Sequence, residues 1–306
     1  PMPMSSPFNA ASPQALAIKS LFLFVLWLGL GVFVIVAGLV LTAAIRFRAR
    51  AGGSEAPQEE GRPKWEIVWT GAAALLLAVI LIPTIAVMRT ADPARGAHAP
   101  DLVVIGHQWW WEIRYPASGV VTANEVHIPT GRPLLVRLIS ADVIHDFWVP
   151  QLARKEDLTP GYPAAIWLEA NAPGTYLGAC VEFCGVQHAW MRIAVIAQAP
   201  GAFDAWLRAR QQPAAAPTAP DAVAGMTLYR ALTCDSCHAT GVAVGPELVH
   251  VATRATLAGG RIVNTPETLA RWIADPNALK PGTLMPNFHL TGDQVRDLVA
   301  YLETRR

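Results

Sequence analysis

The chain has 306 residues, 53% hydrophobic and 15% charged, with 24 Lys+Arg against 23 Asp+Glu for a net charge of +1. A charged share so far below the ~25% of ordinary globular chains excludes a disordered polypeptide and argues against an ordinary soluble one, and the balanced charge without a basic run gives nucleic-acid binding no electrostatic support. The length allows two or three domains, and four cysteines are too few for a small disulfide scaffold.

The sequence begins at Pro1, and a native start upstream of it is expected. Residues 21–45 and 67–88 are uncharged runs of 25 and 22 residues. Each is long enough to cross a bilayer with some tilt, and neither reads as a core helix of a soluble domain. Pro83 in the second run is tolerated in a membrane helix. The connection at 46–64 carries Arg46, Arg48, Arg50, Arg62 and Lys64, whereas the tail before the first run offers Lys19 and the segment after the second offers Arg89 and Arg95. Positive charge stays on the cytoplasmic side. The spans therefore form a hairpin in the bacterial cytoplasmic (inner) membrane, with both termini and the large C-terminal part on the periplasmic or outer side.

From about residue 101 the texture changes. Short β-branched and aromatic runs at 102–106, 120–129, 134–140, 164–170 and 191–198 alternate with turn formers such as Gly119, Gly131, Pro160 and Gly174. This spacing predicts an antiparallel sandwich or barrel. Residues 211–221, QQPAAAPTAPD, read as a semi-rigid Pro/Ala linker. Beyond it, 224–233 and 292–304 carry apolar residues at helical spacing, around a loop-rich stretch at 238–266. The expected division is 1–95 (tail and membrane hairpin), 96–200 (β domain), 201–221 (short helix and linker) and 222–306 (helical domain).

The four cysteines fall in two motifs. The first is Cys180-Val-Glu182-Phe-Cys184-Gly-Val-Gln-His188-Ala-Trp-Met191. Two thiols, an imidazole and a thioether within twelve residues form a soft donor set suited to copper. His145, in Val-Ile-His145-Asp-Phe-Trp-Val-Pro150, is the candidate second imidazole. With two cysteines, two thiolates can bridge two copper ions. A Cys180–Cys184 disulfide leaves the His and Met spacing unexplained, and zinc rarely takes thioether sulfur.

With these motifs, residues 15–198 resemble subunit II of haem–copper cytochrome c oxidases. The resemblance implies a cupredoxin-like domain carrying a dinuclear CuA centre. In it Cys180 and Cys184 bridge the coppers, His145 and His188 cap them, Met191 is a weak ligand and Glu182 ligates through its main-chain carbonyl. It also implies that the Glu182 side chain reaches a non-redox Mg ion shared with subunit I. Gly106-His107-Gln-Trp109-Trp110-Trp111 resembles the family's aromatic segment beside the copper, whose first Trp, here Trp109, takes electrons from soluble cytochrome c. As a bare sequence the segment equally reads as an aromatic core strand. Trp65-Glu66-Ile-Val-Trp69-Thr70 resembles the start of the family's second helix, whose Glu lies at the entrance of a proton channel in subunit I. Glu66 would also simply suit a helix N-terminus. One departure is Tyr162, which follows Pro160-Gly161 where the family often has Arg. The contact of that Arg with subunit I is not carried over.

The second motif, Cys234-Asp-Ser-Cys237-His238, has the attachment spacing of c-type haem. Two thiols one helical turn apart form thioethers with the two vinyl groups, and the adjacent His sits beneath the iron. A thioredoxin-like redox pair would need a βαβ context that is absent from the sequence. Met285 is the expected sixth ligand, with His250 and His289 as competitors; His/Met ligation raises the reduction potential. Lys280-Pro-Gly-Thr-Leu-Met285-Pro resembles class I cytochromes c fused to bacterial oxidases. By the same resemblance Gly225, Tyr229 and Tyr301 sit at crossing terminal helices, and the Gly245-Pro246 segment accepts the axial His ring N–H. Trp272 either reaches a haem propionate or packs. His98, His107 and His127 read as structural or exposed.

The expected fold is thus multidomain, with a transmembrane α-helical hairpin, an all-β cupredoxin-like sandwich and an all-α cytochrome c domain. The resemblance implies the electron-accepting subunit of an oxidase, passing electrons from covalent haem c through dinuclear copper to subunit I, where oxygen is reduced and protons are pumped. Implied partners are subunit I, subunit III, the lipid bilayer, and a soluble or membrane-bound cytochrome c or quinol–cytochrome c reductase as donor. The alternatives are the copper subunit of a membrane nitric oxide reductase and a membrane-anchored copper carrier.

Overall fold

The computed structural model describes residues 6–48, 61–92, 99–242 and 244–306. Arg50, Arg95 and His98 lie outside the described residues, as does most of the 46–64 connection. The chain divides into two compact units, one of residues 16–90 and one of residues 1–15 with 91–306.

The first unit is built on two helices, α1 (Pro13–Arg46) and α2 (Pro63–Ala91). At ~1.5 Å per residue they are about 51 and 44 Å long, more than the ~30 Å hydrocarbon core of a bilayer. Their apolar side chains, Trp27, Phe33, Leu77 and Ile82 among them, are exposed rather than turned to one face. A helix apolar on all sides needs lipid or a protein core around it. Glu66 lies in the first turn of α2, and Pro83 lies inside it.

In the second unit, ten strands form two five-stranded sheets among the described residues. They are β1 (Leu102–His107), β2 (Trp110–Tyr115), β3 (Val120–Ala123), β4 (Glu125–Pro129), β5 (Leu134–Ser140), β6 (His145–Trp148), β7 (Glu156–Leu158), β8 (Ala164–Leu168), β9 (Gly174–Cys180) and β10 (Arg192–Gln198). Their orders are β3-β2-β1-β5-β8 and β4-β10-β9-β6-β7. Pairing is antiparallel except for β1 with β5 and β4 with β10. Val104, Trp111, Ile113, Val136 and Leu138 of one sheet and Val126, Phe147, Ile193 and Val195 of the other belong to one buried core.

The run 120–129, which reads as one strand, is two. Asn124 takes a left-handed φ of 61° and divides it, so β3 pairs with β2 and β4 pairs with β10 in the other sheet. Asn tolerates this conformation better than most residues. Its side chain also accepts the Trp111 N–H at 2.9 Å, which ties the corner down. The strands β6, β7 and β9 were not anticipated, because their sequences mix polar and small residues without clean alternation.

Helix α3 (Pro200–Arg210) lays Phe203, Trp206 and Leu207 on the sandwich, with Trp206 stacked on His127 at 4.0 Å. The last domain contains α4 (Pro220–Ala231), α5 (Asp235–His238), a hairpin of β11 (Thr256–Leu257) and β12 (Ile262–Val263), then α6 (Pro266–Ala274), α7 (Pro276–Leu279) and α8 (Gly292–Glu303). Thr265 and Thr291 open α6 and α8 with capping boxes, the N-terminal device that satisfies otherwise unpaired N–H groups. Helices α4 and α8 cross at Gly225, where a Cβ would lie 1.9 Å from the Asp297 carbonyl oxygen. Tyr229 and Tyr301 meet beside this crossing, with ring centroids 5.3 Å apart.

Candidate metal centre

The first constellation is assembled at one end of the sandwich. His145 opens β6, Cys180 closes β9, and Met191 directly precedes β10, so three neighbouring strands of one sheet deliver donors to one edge. The loop between β9 and β10 supplies Glu182, Cys184 and His188. The Cys180 and Cys184 sulfurs are 3.7 Å apart, far longer than the ~2.05 Å of a disulfide. His145 Nδ1 lies 3.8 Å from Cys180 Sγ, and His188 Nδ1 lies 3.6 Å from Cys184 Sγ. The Met191 sulfur is 4.0 Å from Cys184 Sγ, and the Glu182 carbonyl oxygen is 3.2 Å from Cys180 Sγ. Each expected donor therefore converges on the paired sulfurs, and His145, Cys180, Cys184 and Met191 are buried.

The electrostatics suit a cation. The Cys180 thiol is pulled well below its usual range, first by its hydrogen bond with Cys184 and then by His145 and main-chain N–H groups, against the cost of burial. Cys184 moves the other way, because its proton is shared with a neighbouring thiolate and its site is buried. Burial disfavours a charged His145, but hydrogen bonds to Asp142 and Cys180 outweigh it and raise its pKa, so the site draws positive charge and a metal there would have to displace that proton. Soft sulfur paired with imidazole, with most of the donors buried, is a donor set for copper.

A second layer holds these donors. Asp142 Oδ1 lies 2.7 Å from His145 Nε2, which turns Nδ1 towards the sulfurs. The other Asp142 oxygen accepts the Gln108 N–H at 2.7 Å. The Gln108 side chain and the Trp109 indole N–H both donate to the Cys184 carbonyl, at 2.7 and 3.0 Å. Gly106 leaves room for the His145 ring, since a Cβ there would lie 2.8 Å from it. His107 is stacked on Trp110 and bound to Glu112 at 3.0 Å, a buried structural pair.

The second constellation lines a partly open, mostly apolar cleft. Cys237, His238, Met285 and Trp272 line it, with an apolar floor of Leu248, Val251, Leu269 and Ile273. Cys234 packs against the cytochrome-side core one turn away. His238 Nδ1 donates to the Pro246 carbonyl at 2.7 Å, so Nε2 is the ring nitrogen available to a metal. Burial, opposed by that hydrogen bond, lowers the His238 pKa and favours the neutral imidazole that ligation requires. Of the competitors, His250 is turned to the Arg306 and Arg210 carbonyls at 2.9 and 3.0 Å, and His289 is exposed. The opposite wall of the cleft is the β domain itself, through Gln108, Trp109, Trp110, Asn124 and Gln187.

Three family models match this chain. They are cytochrome c oxidase subunit II, transmembrane domain, at residues 3–87; cytochrome c oxidase subunit II, periplasmic domain, at 118–198; and cytochrome c at 222–306. A curated relative, cytochrome c oxidase subunit 2 of Alkalihalophilus pseudofirmus, is 34% identical over 283 residues, covering 89% of this chain and 82% of its own. The chain belongs to the cytochrome c oxidase subunit II family. The same protein of Bacillus sp. strain PS3 is 32% identical over 84% of this chain and 79% of its own. Among solved structures, the periplasmic domain of subunit II of the Bradyrhizobium japonicum oxidase is 28% identical, covers 37% of this chain and 96% of its own, and gives a TM-score of 0.34.

As a subunit II, the chain is a membrane-anchored component of an oxidoreductase complex with subunit I as partner, and its two metal-binding domains imply copper and haem. The nitric oxide reductase and copper-carrier alternatives are not favoured. Sequence reasoning missed Asp142, Gln187 and Lys280. A carboxylate three residues before His145 was a usable signal for the first. Gln187 hides at a variable position of the copper motif. Lys280 stands in the sequence only as part of the Met285 motif, yet its side chain is buried, and burial pushes its pKa down to about 8. Trp109, which the sequence reads either as an entry point for soluble donors or as part of an aromatic core strand, is buried and lines the haem cleft. Tyr162, standing where the family often has Arg, is exposed.

Proposed function

We propose that this subunit II carries electrons from a haem c held by Cys234, Cys237, His238 and Met285 to a dinuclear copper centre held by His145, Cys180, Glu182, Cys184, His188 and Met191, and on to subunit I. The observation that carries this reading is the convergence of four donors, from His145, Glu182, His188 and Met191, on one pair of cysteine sulfurs, with all contacts at 3.2–4.0 Å. When bound, copper and haem supply two one-electron carriers on a single chain. The protein's part is to keep their ligands still. Cys180 and Cys184 would hold the coppers through their paired sulfurs, His145 is oriented by Asp142, and the buried core around Met191 and Phe147 excludes water. The Glu182 carbonyl would be a further ligand, and its exposed side chain would be placed to meet a Mg ion at the surface of subunit I. Trp109 links the cleft to the copper loop through its bond to the Cys184 carbonyl. Glu66 marks the entrance of a proton channel in subunit I. The two metal domains lie on the periplasmic side of a bacterial inner membrane, joined by residues 201–221. Subunit III completes the complex, and a cytochrome c or a quinol–cytochrome c reductase supplies electrons.

The test is to purify the chain with its membrane partners and follow oxygen uptake and NO consumption with a reduced donor. Cyanide-sensitive oxygen uptake with proton release, together with a dinuclear copper EPR signal, is expected. NO consumption with little oxygen uptake, or a mononuclear copper signal, would overturn the reading.

A further inference from the structure

The Met285-bearing loop of the cytochrome domain is pinned to the copper loop by side chains that neither metal site needs as ligands. Gln187 is 1% exposed, and its Nε2 donates to the Lys280 carbonyl at 3.2 Å and the Pro281 carbonyl at 2.8 Å. Lys280 reaches back, and its buried Nζ donates to the Trp109 carbonyl at 3.1 Å. Burying an ammonium group is costly unless it is paired or hydrogen-bonded, so this side chain is not placed there by apolar packing alone. Gly259, at φ +76°, makes room for it. A Cβ at that position would lie 3.1 Å from Lys280 Nζ, from the Trp109 carbonyl and from the Trp190 carbonyl. The Gly259 carbonyl in turn accepts the Arg192 N–H at 2.9 Å, and the Arg261 guanidinium lies over the Trp190 ring at 4.9 Å.

Each half of this arrangement ends on a copper ligand. Gln187 is the residue before His188. Trp109, held by Lys280 at its carbonyl, donates its indole N–H to the Cys184 carbonyl. The same Trp109 lines the haem cleft.

We propose that Gln187 and Lys280 are positioning residues that clasp the haem loop onto the copper loop, so that Trp109 receives electrons from the cleft of its own chain and is closed to donors in solution. This rests on the reading of the two metal sites given above. One electron moves along the clasped contact, and no bond is made or broken. The role is geometric, since the rate of electron transfer falls with the distance between donor and acceptor and so depends on how the two loops are held together. External donors then reach only the haem.

The test compares the intact oxidase complex with its Lys280→Met, Gln187→Leu and Gln187→Glu variants. Copper EPR and haem absorption report the two sites. Hydrogen–deuterium exchange at 184–190 and 280–286 reports the clasp. Flash photoreduction of the haem gives the rate of haem-to-copper transfer, and hexaammineruthenium(II) probes direct reduction of copper from solution. With both spectra intact, each variant is expected to exchange at least tenfold faster in these loops and to transfer at least tenfold more slowly. Direct reduction of copper by the ruthenium probe is expected to rise. Gln187→Glu keeps the shape and loses the donor, so wild-type behaviour there would overturn the hydrogen-bonded clasp. Unchanged exchange or unchanged transfer in the Leu variant would also overturn it. Where Lys280→Met gives no folded complex, the wild type decides: copper reduced by the probe faster than through haem would overturn the closure of Trp109. A wild type lacking the dinuclear copper or covalent haem signal would instead overturn the underlying reading of the sites.

Discussion

The copper loop and the haem cleft solve the same problem, holding metal ligands still, with different architecture. In the copper loop the donors touch one another. Three adjacent strands of one sheet bring His145, Cys180 and Met191 to a shared edge, and the loop between β9 and β10 folds Cys184 and His188 onto them. In the haem cleft Cys237, His238 and Met285 line an open space between them, and short helices and turns set their positions. A ligand set in contact tolerates almost no change of position. A ligand set around a cavity depends on the group that fills it, and on the crossing of α4 and α8 that closes the domain.

The sharpest way to break the comparison is Cys184→Ser. Haem should remain attached with its spectrum intact, while electron flow from haem to subunit I is lost almost completely. Stopped-flow reduction followed at the haem and at subunit I checks this, and normal turnover would show that the sulfur pair is not on the path. Met285→Ala addresses the other site. Covalent attachment should survive while the reduction potential falls by on the order of 0.1 V, within the ~0.8 V that axial ligands span. A redox titration that finds no shift would remove Met285 as the axial ligand.

Smaller effects test the supports. Asp142→Asn should weaken copper affinity about 10–100-fold, the usual effect of removing a partner of a ligating His, as read by competition with a copper chelator. The same change should leave haem loading as it was. Gly225→Ala forces a Cβ against the Asp297 carbonyl and should destabilise the cytochrome domain by about 1–3 kcal/mol or more, seen as a lower melting point of that domain with the copper signal unchanged.

The smallest change concerns the contact between the two regions. Glu125 accepts both the N–H and the hydroxyl of Thr256, at 2.9 and 3.0 Å, and burial raises its pKa above 4.5 despite these bonds and the nearby Arg254. A carboxyl with a raised folded pKa contributes most below its unfolded pKa and loses that contribution as pH rises through the folded value. Glu125→Gln keeps the acceptor and removes the charge. It should flatten the decline of stability above pH 4.5 that is due to this group, measured by thermal unfolding across pH. An unchanged pH profile would show that the charge is already compensated.

Much of this was legible in the sequence because the chemistry is local. The two uncharged runs could only be long apolar helices. The Cys-x-Glu-x-Cys-x-x-x-His-x-x-Met and Cys-x-x-C-His spacings name their donors directly, since a loop or one helical turn suffices to gather them. Gly225 was visible as a close-approach residue. What was not legible depends on partners distant in sequence. The run 120–129 looked like one strand, and only its pairing with β2 on one side and β10 on the other shows why Asn124 must turn the chain. The sequence says nothing of where the Lys280 side chain goes, and it leaves open whether Trp109 meets a soluble donor or packs in a core strand. Their burial follows from docking one domain on another, with Gln187 and Gly259 supplying the donor and the space. Donor types and their spacing are properties of short segments, so the sequence alone picked out the candidate ligands and the class of metal or haem group they suit. Which groups become buried, and towards which site they are held, is set by contacts between segments far apart in the chain, and only the tertiary structure decided that.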